Sequence, residues 1–215
     1  MDVISTSVDF SDYKVLVVPV MQIIDEELSE RLKEFAAKGG TVLFSFRSGV
    51  KDRNNNIHFG KVFPCNIRDF AGICIKEAES LQTGQQVQIL GQGEYKGRSG
   101  SCRVWRDMIT TESAEALYNY VDRFYSQNAC ITVNEYNKGK VYYVGGGADD
   151  ETLKSIAKEI VAYYGIRHLE SPEGLEAYTR DYNGEEWLIM CNHTDREIVH
   201  QDITYRPYES KIMKK

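Results

Sequence analysis

The chain has 215 residues, 42% of them apolar, enough for one large core with a small appendage. Its 26 basic and 32 acidic residues leave a formal net charge of −6, which does not favour a phosphate backbone and argues against nucleic acid as a partner. The longest apolar run, Val15 to Met21, is far short of the ~20 residues a membrane helix needs, and Met1-Asp2-Val3-Ile4-Ser5 lacks the features of a signal peptide.

In chain order, Val15-Leu16-Val17-Val18-Pro19-Val20 is a continuous, mostly β-branched run, the mark of a strand covered on both faces in a parallel sheet. Asp25-Glu26-Glu27 supplies an N-cap and an acidic first turn. Ile24, Leu28, Leu32, Phe35 and Ala36 share one helical face, and Gly39-Gly40 ends that helix. Thr41 to Phe46 reads as the next strand, which completes a βαβ unit with a right-handed crossover. Lys51 to Asn56 is polar and turn-rich, an exposed loop, and Asn66 to Ala71 makes a short helix ahead of a strand at Gly72 to Ile75.

Residues 80 to 100, rich in glycine and glutamine, read as a long connection with an edge hairpin. In Ala114 to Phe124, Leu117, Val121 and Phe124 fit a helix while Ala116, Tyr118 and Tyr120 fit a strand; the tyrosines favour the strand. Ala129 to Val133 and Lys140 to Val144 flank Asn137-Lys138-Gly139, a hairpin signal. Gly145-Gly146-Gly147 then leaves the sheet, and Asp149-Asp150 caps a second helix whose core face is Leu153, Ile156, Ala157, Ile160, Val161 and Tyr164. Beyond residue 168 the pattern changes to alternating strands joined at Asn183-Gly184, a type I′ turn, with a domain boundary at about Ser171-Pro172.

Chemistry is sparse. Gly91-x-Gly93-x-x-x-Gly97 is one residue too long for a dinucleotide loop and opens no helix. Gly145 to Gly147 ahead of a helix could hold an anion, but Asp149 and Asp150 oppose one there. The five cysteines, Cys65, Cys74, Cys102, Cys130 and Cys191, are widely spaced and read as reduced, inert thiols in a reducing compartment. A Cys–His dyad assembled in space stays open, although no cysteine occupies a glycine-flanked elbow. No histidine has helical zincin spacing, and no carboxylate pair suits glycoside hydrolysis, since Glu185 and Glu186 are adjacent on a strand. Asn192-His193-Thr194 matches a glycosylation acceptor by chance. The most informative stretch is Thr41 to Gly49, a buried strand entering a turn where an enzyme would hold a nucleophile; here that turn carries none. Arg47, Ser48, Gly49, Lys51 and Asp52 follow a parallel strand on the edge where open α/β sheets bind ligands.

Asp9 to Pro19 and Gly39 to Asp52 resemble the middle domain of glycoside hydrolase family 42 β-galactosidases, as does the hairpin Asn137 to Gly145. Pro172-Glu173-Gly174-Leu175-Glu176 and Cys191-Asn192-His193-Thr194 resemble the small C-terminal β domain of the same enzymes. The resemblance implies a flavodoxin-like, amidotransferase-like α/β domain over residues 1–170, a mostly parallel sheet flanked by helices, followed by a small antiparallel β domain over 171–215. In class I glutamine amidotransferases a cysteine follows the equivalent strand; here Phe46 and Arg47 stand there, so amidotransferase activity is not implied. The family's catalytic glutamates belong to a TIM barrel of ~250 residues with no counterpart in this sequence, so no catalytic residue, metal or cofactor is carried over. The chain reads as starting at the domain's second strand, as a piece of a larger enzyme, and the absent strand would leave a gap or an unpaired edge. The expected role is non-catalytic: cytoplasmic homotrimer assembly and support for the catalytic barrel, with Arg47 to Asp52 as the loop facing the barrel or a neighbouring subunit. The alternative is a free-standing carbohydrate-binding module without catalysis.

Overall fold

The computed structural model describes residues 2–215 and divides the chain into two compact units, one ending at Ile160 and one running Val161–Lys215. The first unit starts with β1 (Val15–Val18), α1 (Glu26–Ala37) and β2 (Thr41–Ser45). It continues through α2 (Arg68–Ala71), β3 (Ile73–Ser80), β4 (Val87–Gly91), β5 (Ser99–Thr111) and β6 (Glu115–Tyr120). The strands β7 (Ala129–Tyr136), β8 (Gly139–Val144) and β9 (Gly146–Ala148) lead into α3 (Asp150–Tyr163), which spans the division between the two units.

The first helix forms as its sequence dictates. Asp25 accepts the Leu28 N–H at 2.9 Å, and the chain turns out of the helix at Gly39, where φ is +115°. Gly40 is needed for a different reason: a Cβ there would lie 2.2 Å from the Phe35 ring. Ile24, Leu32, Phe35 and Ala36 are buried in one core with Val42, Phe44, Phe70 and Tyr143. At α3, Ile156 and Ile160 are buried but Leu153 is 38% exposed, so the buried stripe is narrower than the sequence pattern suggested.

The sheet is mixed, and the expectation of a mostly parallel sheet is corrected. The order is β1-β2-β8-β7-β6-β4-β5-β3, with β9 against β5, and among these pairs only β1–β2 and β2–β8 are parallel. Residues 73–136 form antiparallel strands joined without long helices, because hairpin connections are short and place no crossover helix on a sheet face. The only helix there, within the described residues, is the single 3₁₀ turn Gly93–Tyr95. The connection after residue 80 carries β4, which is not at an edge but sits between β5 and β6. β5, β4, β6 and β7 also close on themselves through the pair Ile109–Ala129. β1 ends the sheet, with Val17 62% exposed, and no gap interrupts the pairing from β1 to β3.

The second correction concerns Gly145 to Gly147. The chain does not leave the sheet there: β9 pairs with β5, and a Cβ at Gly146 or Gly147 would lie 2.5 Å from the carbonyl oxygen of Trp105 or Arg103. Glycine permits that backbone approach. Tyr118, Tyr120, Tyr142 and Tyr143 pack in the interior, as all four are at most 2% exposed.

The second unit contains β10 (Leu175–Tyr182), β11 (Glu185–Asn192), β12 (Ile198–His200), β13 (Ile203–Tyr205) and β14 (Ser210–Lys214). β10, β11 and β14 form an antiparallel sheet, and β12 pairs with β13. The β10–β11 turn has φ +53° at Asn183 and +78° at Gly184, the positive values that a type I′ turn requires. Leu175, Met190, Ile198 and Tyr205 make its core. Asn192 is 2% exposed, and its amide donates to the Arg196 and Arg206 carbonyls at 2.8 Å each. A nitrogen so engaged is not presented for glycosylation in the folded state. No helix among the described residues is long and apolar enough to cross a membrane.

Candidate functional site

The parallel strands β1, β2 and β8 bring their C-terminal ends together, and the chain leaves β2 at Ser45 into a tight turn. The Ser45 hydroxyl accepts the Val20 N–H at 2.6 Å. Arg47 then adopts φ +61°, in the left-handed region that non-glycine residues rarely enter. The following residues hold it there. The Ser48 hydroxyl donates to the Ser45 carbonyl at 2.7 Å, and the Gly49 N–H donates to Met21 at 3.0 Å. The Gly49 carbonyl accepts the Cys65 N–H at 2.9 Å.

This strand-to-turn shape suits a nucleophile, but the residue at its apex carries a guanidinium. Ser48 is fully buried with its hydroxyl spent on a carbonyl, so neither residue is equipped for acyl transfer. The Arg47 guanidinium lies 4.7 Å from the Trp105 ring centre, a cation–π contact. Its backbone N–H points to Asp107 Oδ2 at 3.4 Å. Asp107, 3% exposed, also accepts the Trp105 indole N–H at 2.7 Å and the Tyr143 hydroxyl at 2.9 Å. Burial pushes the Asp107 carboxyl above the usual carboxylate range, against those three hydrogen bonds. Burial, together with the neighbouring Asp107 charge, likewise pushes the Tyr143 hydroxyl up.

These groups border a cavity of about 270 Å³ whose lining includes Arg47, Lys51, Phe63, Lys76, Trp105 and Asp107. Of the loop residues singled out in the sequence, Arg47 and Lys51 therefore reach the cavity, whereas Ser48 and Gly49 are buried in the turn itself. Lys51 Nζ donates to Asn55 Oδ1 at 2.9 Å. Asp52 accepts the Asn54 and Asn56 N–H groups at 2.9 Å each and shapes the polar turn, which pushes its carboxyl below the usual range. Sequence reasoning missed Asp107, Trp105, Tyr143 and Lys76. One signal was available: Asp107 adjoins the apolar Met108-Ile109 within a strand, an unusual place for a carboxylate.

The remaining candidates are not among the residues lining this cavity. Cys74, Cys102 and Cys130 are buried, and all five cysteines are free thiols. Cys102 and Cys130 sulfurs lie 3.1 Å apart. His193 meets Glu176 at 2.8 Å on the surface, and Glu185 pairs with Lys214 while Glu186 pairs with Arg167 at 2.8 Å. No group of three metal-ligating side chains occurs among the described residues.

The fold and this turn define an α/β domain that has the strand-end position of an enzyme without its nucleophile. The chain belongs to the β-galactosidase trimerisation domain family, which matches residues 1–167. It is 32% identical over 200 residues to β-galactosidase BgaB of Geobacillus sp. (strain Y412MC61), covering 92% of this chain and 29% of that enzyme. To β-galactosidase BgaP of Planococcus sp. (strain L4) it is 31% identical over 199 residues, 91% of this chain and 29% of that enzyme. The solved β-galactosidase from Bacillus circulans sp. alkalophilus superposes with a TM-score of 0.88 at 28% identity, covering 98% of this chain and 34% of that one. The chain thus spans about a third or less of the relatives it matches.

Proposed function

We propose that this chain is the subunit-association and scaffold part of a β-galactosidase, holding three copies together and supporting a catalytic barrel carried by the same protein. The observation that carries the reading is the trimerisation-domain match across residues 1–167, on a chain whose structural likeness to a β-galactosidase extends over 98% of its length. The turn after β2 supports it from the chemical side, because Arg47 replaces any nucleophile there. We assign the association domain to residues 1–170 and the small β domain to 171–215. The flavodoxin-like part of the first domain is then β1, α1, β2 and β8. The free thiols suit a cytoplasmic protein.

The loop carrying Arg47, Ser48, Gly49, Lys51 and Asp52 is the surface we assign to a neighbouring subunit or the mouth of the barrel. In its support, Lys51 and Asp52 are only partly buried, and the same segment exposes Ile57 by 52% and Phe59 by 92%. An exposed phenylalanine next to mixed charges is the composition of an interface patch rather than of a solvated loop. Two measurements test the reading. The chain alone is expected not to hydrolyse a nitrophenyl β-galactoside; turnover that survives purification would overturn the non-catalytic role. The double variant Lys51→Glu, Phe59→Asp is expected to lower the assembled fraction with the circular dichroism spectrum unchanged. Undiminished assembly would remove this loop from the interface.

A further inference from the structure

Three backbone irregularities converge on the cavity above Asp107. Arg47 sits at φ +61°. β3 carries an extra residue between Ile75 and Glu77, so Lys76 bulges from its ladder with β5. β5 in turn carries two extra residues, Val104 and Trp105, between its pairings at Arg103 and Arg106 with β9. Val104 has φ +72°, a costly conformation for a β-branched residue. Bulges re-aim side chains, and strain of this kind persists where the surrounding structure maintains it, often at ligand sites. Here the three irregularities deliver Arg47, Lys76 and Trp105 to one cavity, over a carboxylate that is 3% exposed.

From this arrangement we infer that the cavity bounded by Arg47, Lys76, Trp105 and Asp107 binds one small, neutral, polyhydroxylated molecule of the size of a single hexopyranose. The size follows from the volume. About 270 Å³ lies just under the roughly 300–1,000 Å³ of ordinary small-molecule pockets, so it takes one ring and no oligomer. The charge class follows from the walls. An anion entering beside Arg47, Lys51 and Lys76 meets the carboxylates of Asp107 and Glu77, and a cation drawn to those carboxylates meets the three basic side chains. A zwitterion would strip two full charges of water in a cavity lined largely by apolar groups such as Ile57, Phe63 and Ile75. Hydroxyl groups avoid both costs, since each one donates and accepts.

Asp107 has room for such a donor. A carboxylate accepts about four hydrogen bonds, and here it has the Trp105 indole at 2.7 Å, the Tyr143 hydroxyl at 2.9 Å and the long Arg47 contact at 3.4 Å. A ligand hydroxyl completes the set, the Arg47 guanidinium donates to a second oxygen, and Phe63 faces the C–H surface of the ring. Every lining residue belongs to this chain, but Arg47, Lys51 and Ile57 also lie on the segment assigned above to a neighbouring subunit or the barrel mouth, so the inference rests on that cavity staying open in the assembled protein.

The test is calorimetric titration of the 215-residue chain with galactose, glucose and mannose, with phosphate, arginine and leucine as anionic, cationic and zwitterionic probes. Saturable single-site heat is expected from at least one hexose and none from the charged probes. Ala78→Leu, at an exposed residue on the cavity lining, is expected to abolish that heat without moving the thermal midpoint. Asp107→Asn is expected to weaken binding about tenfold or more, as loss of a hydrogen bond to a charged acceptor does. No saturable heat from any hexose, binding of a charged probe in place of a hexose, or full binding by Ala78→Leu would each overturn the inference.

Discussion

Single carboxylates in this chain act in two opposite ways. The Leu28 N–H on Asp25 and the Phe124 N–H on Asp122 push those acids below their usual range. At Asp149 burial opposes, but bonds from Thr152, at 2.9 Å, and Ser101 leave the net shift downward. Such groups add stability that is fully present above the unfolded value of 3.8 and is lost as pH falls through their folded values. Asp107 runs the other way: its raised pKa means that its contribution is fully present below 3.8 and is lost as pH climbs through the folded value. Asp149 caps α3 and also ties it to Ser101 at the start of β5. Asp149→Ala is therefore expected to cost about 1–2 kcal/mol near neutral pH, read from urea unfolding. The loss should begin to shrink as pH falls below 3.8 and keep shrinking until pH has passed through the lower folded value, where the parent's Asp149 is itself protonated. An equal loss at neutral and strongly acid pH would contradict the capping account.

Among the elements, those with local signatures were legible in the sequence and those built by distant pairing were not. α1 shows its cap, its apolar stripe and its glycine stop. The β7–β8 and β10–β11 hairpins show their turn residues. β6 was recoverable from its tyrosines, whose alternation matches a strand better than a helix. The antiparallel pairing of β3 to β6 was hidden for a physical reason. Its register depends on partners many residues away, and the bulges at Lys76 and at Val104–Trp105 break the alternation that would reveal a strand. β9 was hidden by its glycines, which carry no side-chain pattern. Those glycines make a sharp prediction. A methyl group at Gly146 would lie 2.5 Å from the Trp105 carbonyl oxygen, so Gly146→Ala is expected to destabilise the domain by about 1–3 kcal/mol. A chemical-denaturation midpoint equal to that of the parent would show that β9 is not packed against β5 as described. The candidate site was half legible for similar reasons. Arg47 and Lys51 follow a recognisable strand, whereas Asp107 and Trp105 reach the same cavity only through the irregular course of β5.

At the scale of the molecule, β1, β2 and β8 make the parallel part of a mixed sheet whose other pairings are antiparallel. The residue at the turn after β2 is an arginine whose guanidinium lies over the Trp105 ring and whose backbone N–H points to Asp107, and the segment that follows it exposes Phe59. A frame without a nucleophile and with an exposed apolar loop is suited to holding subunits, in keeping with the trimerisation family to which the chain belongs. The most direct test is molar mass by light scattering behind a sizing column, at several low protein concentrations. The account predicts a concentration-stable mass of three times the 24.6 kDa chain. A mass of 24.6 kDa at every concentration would contradict it.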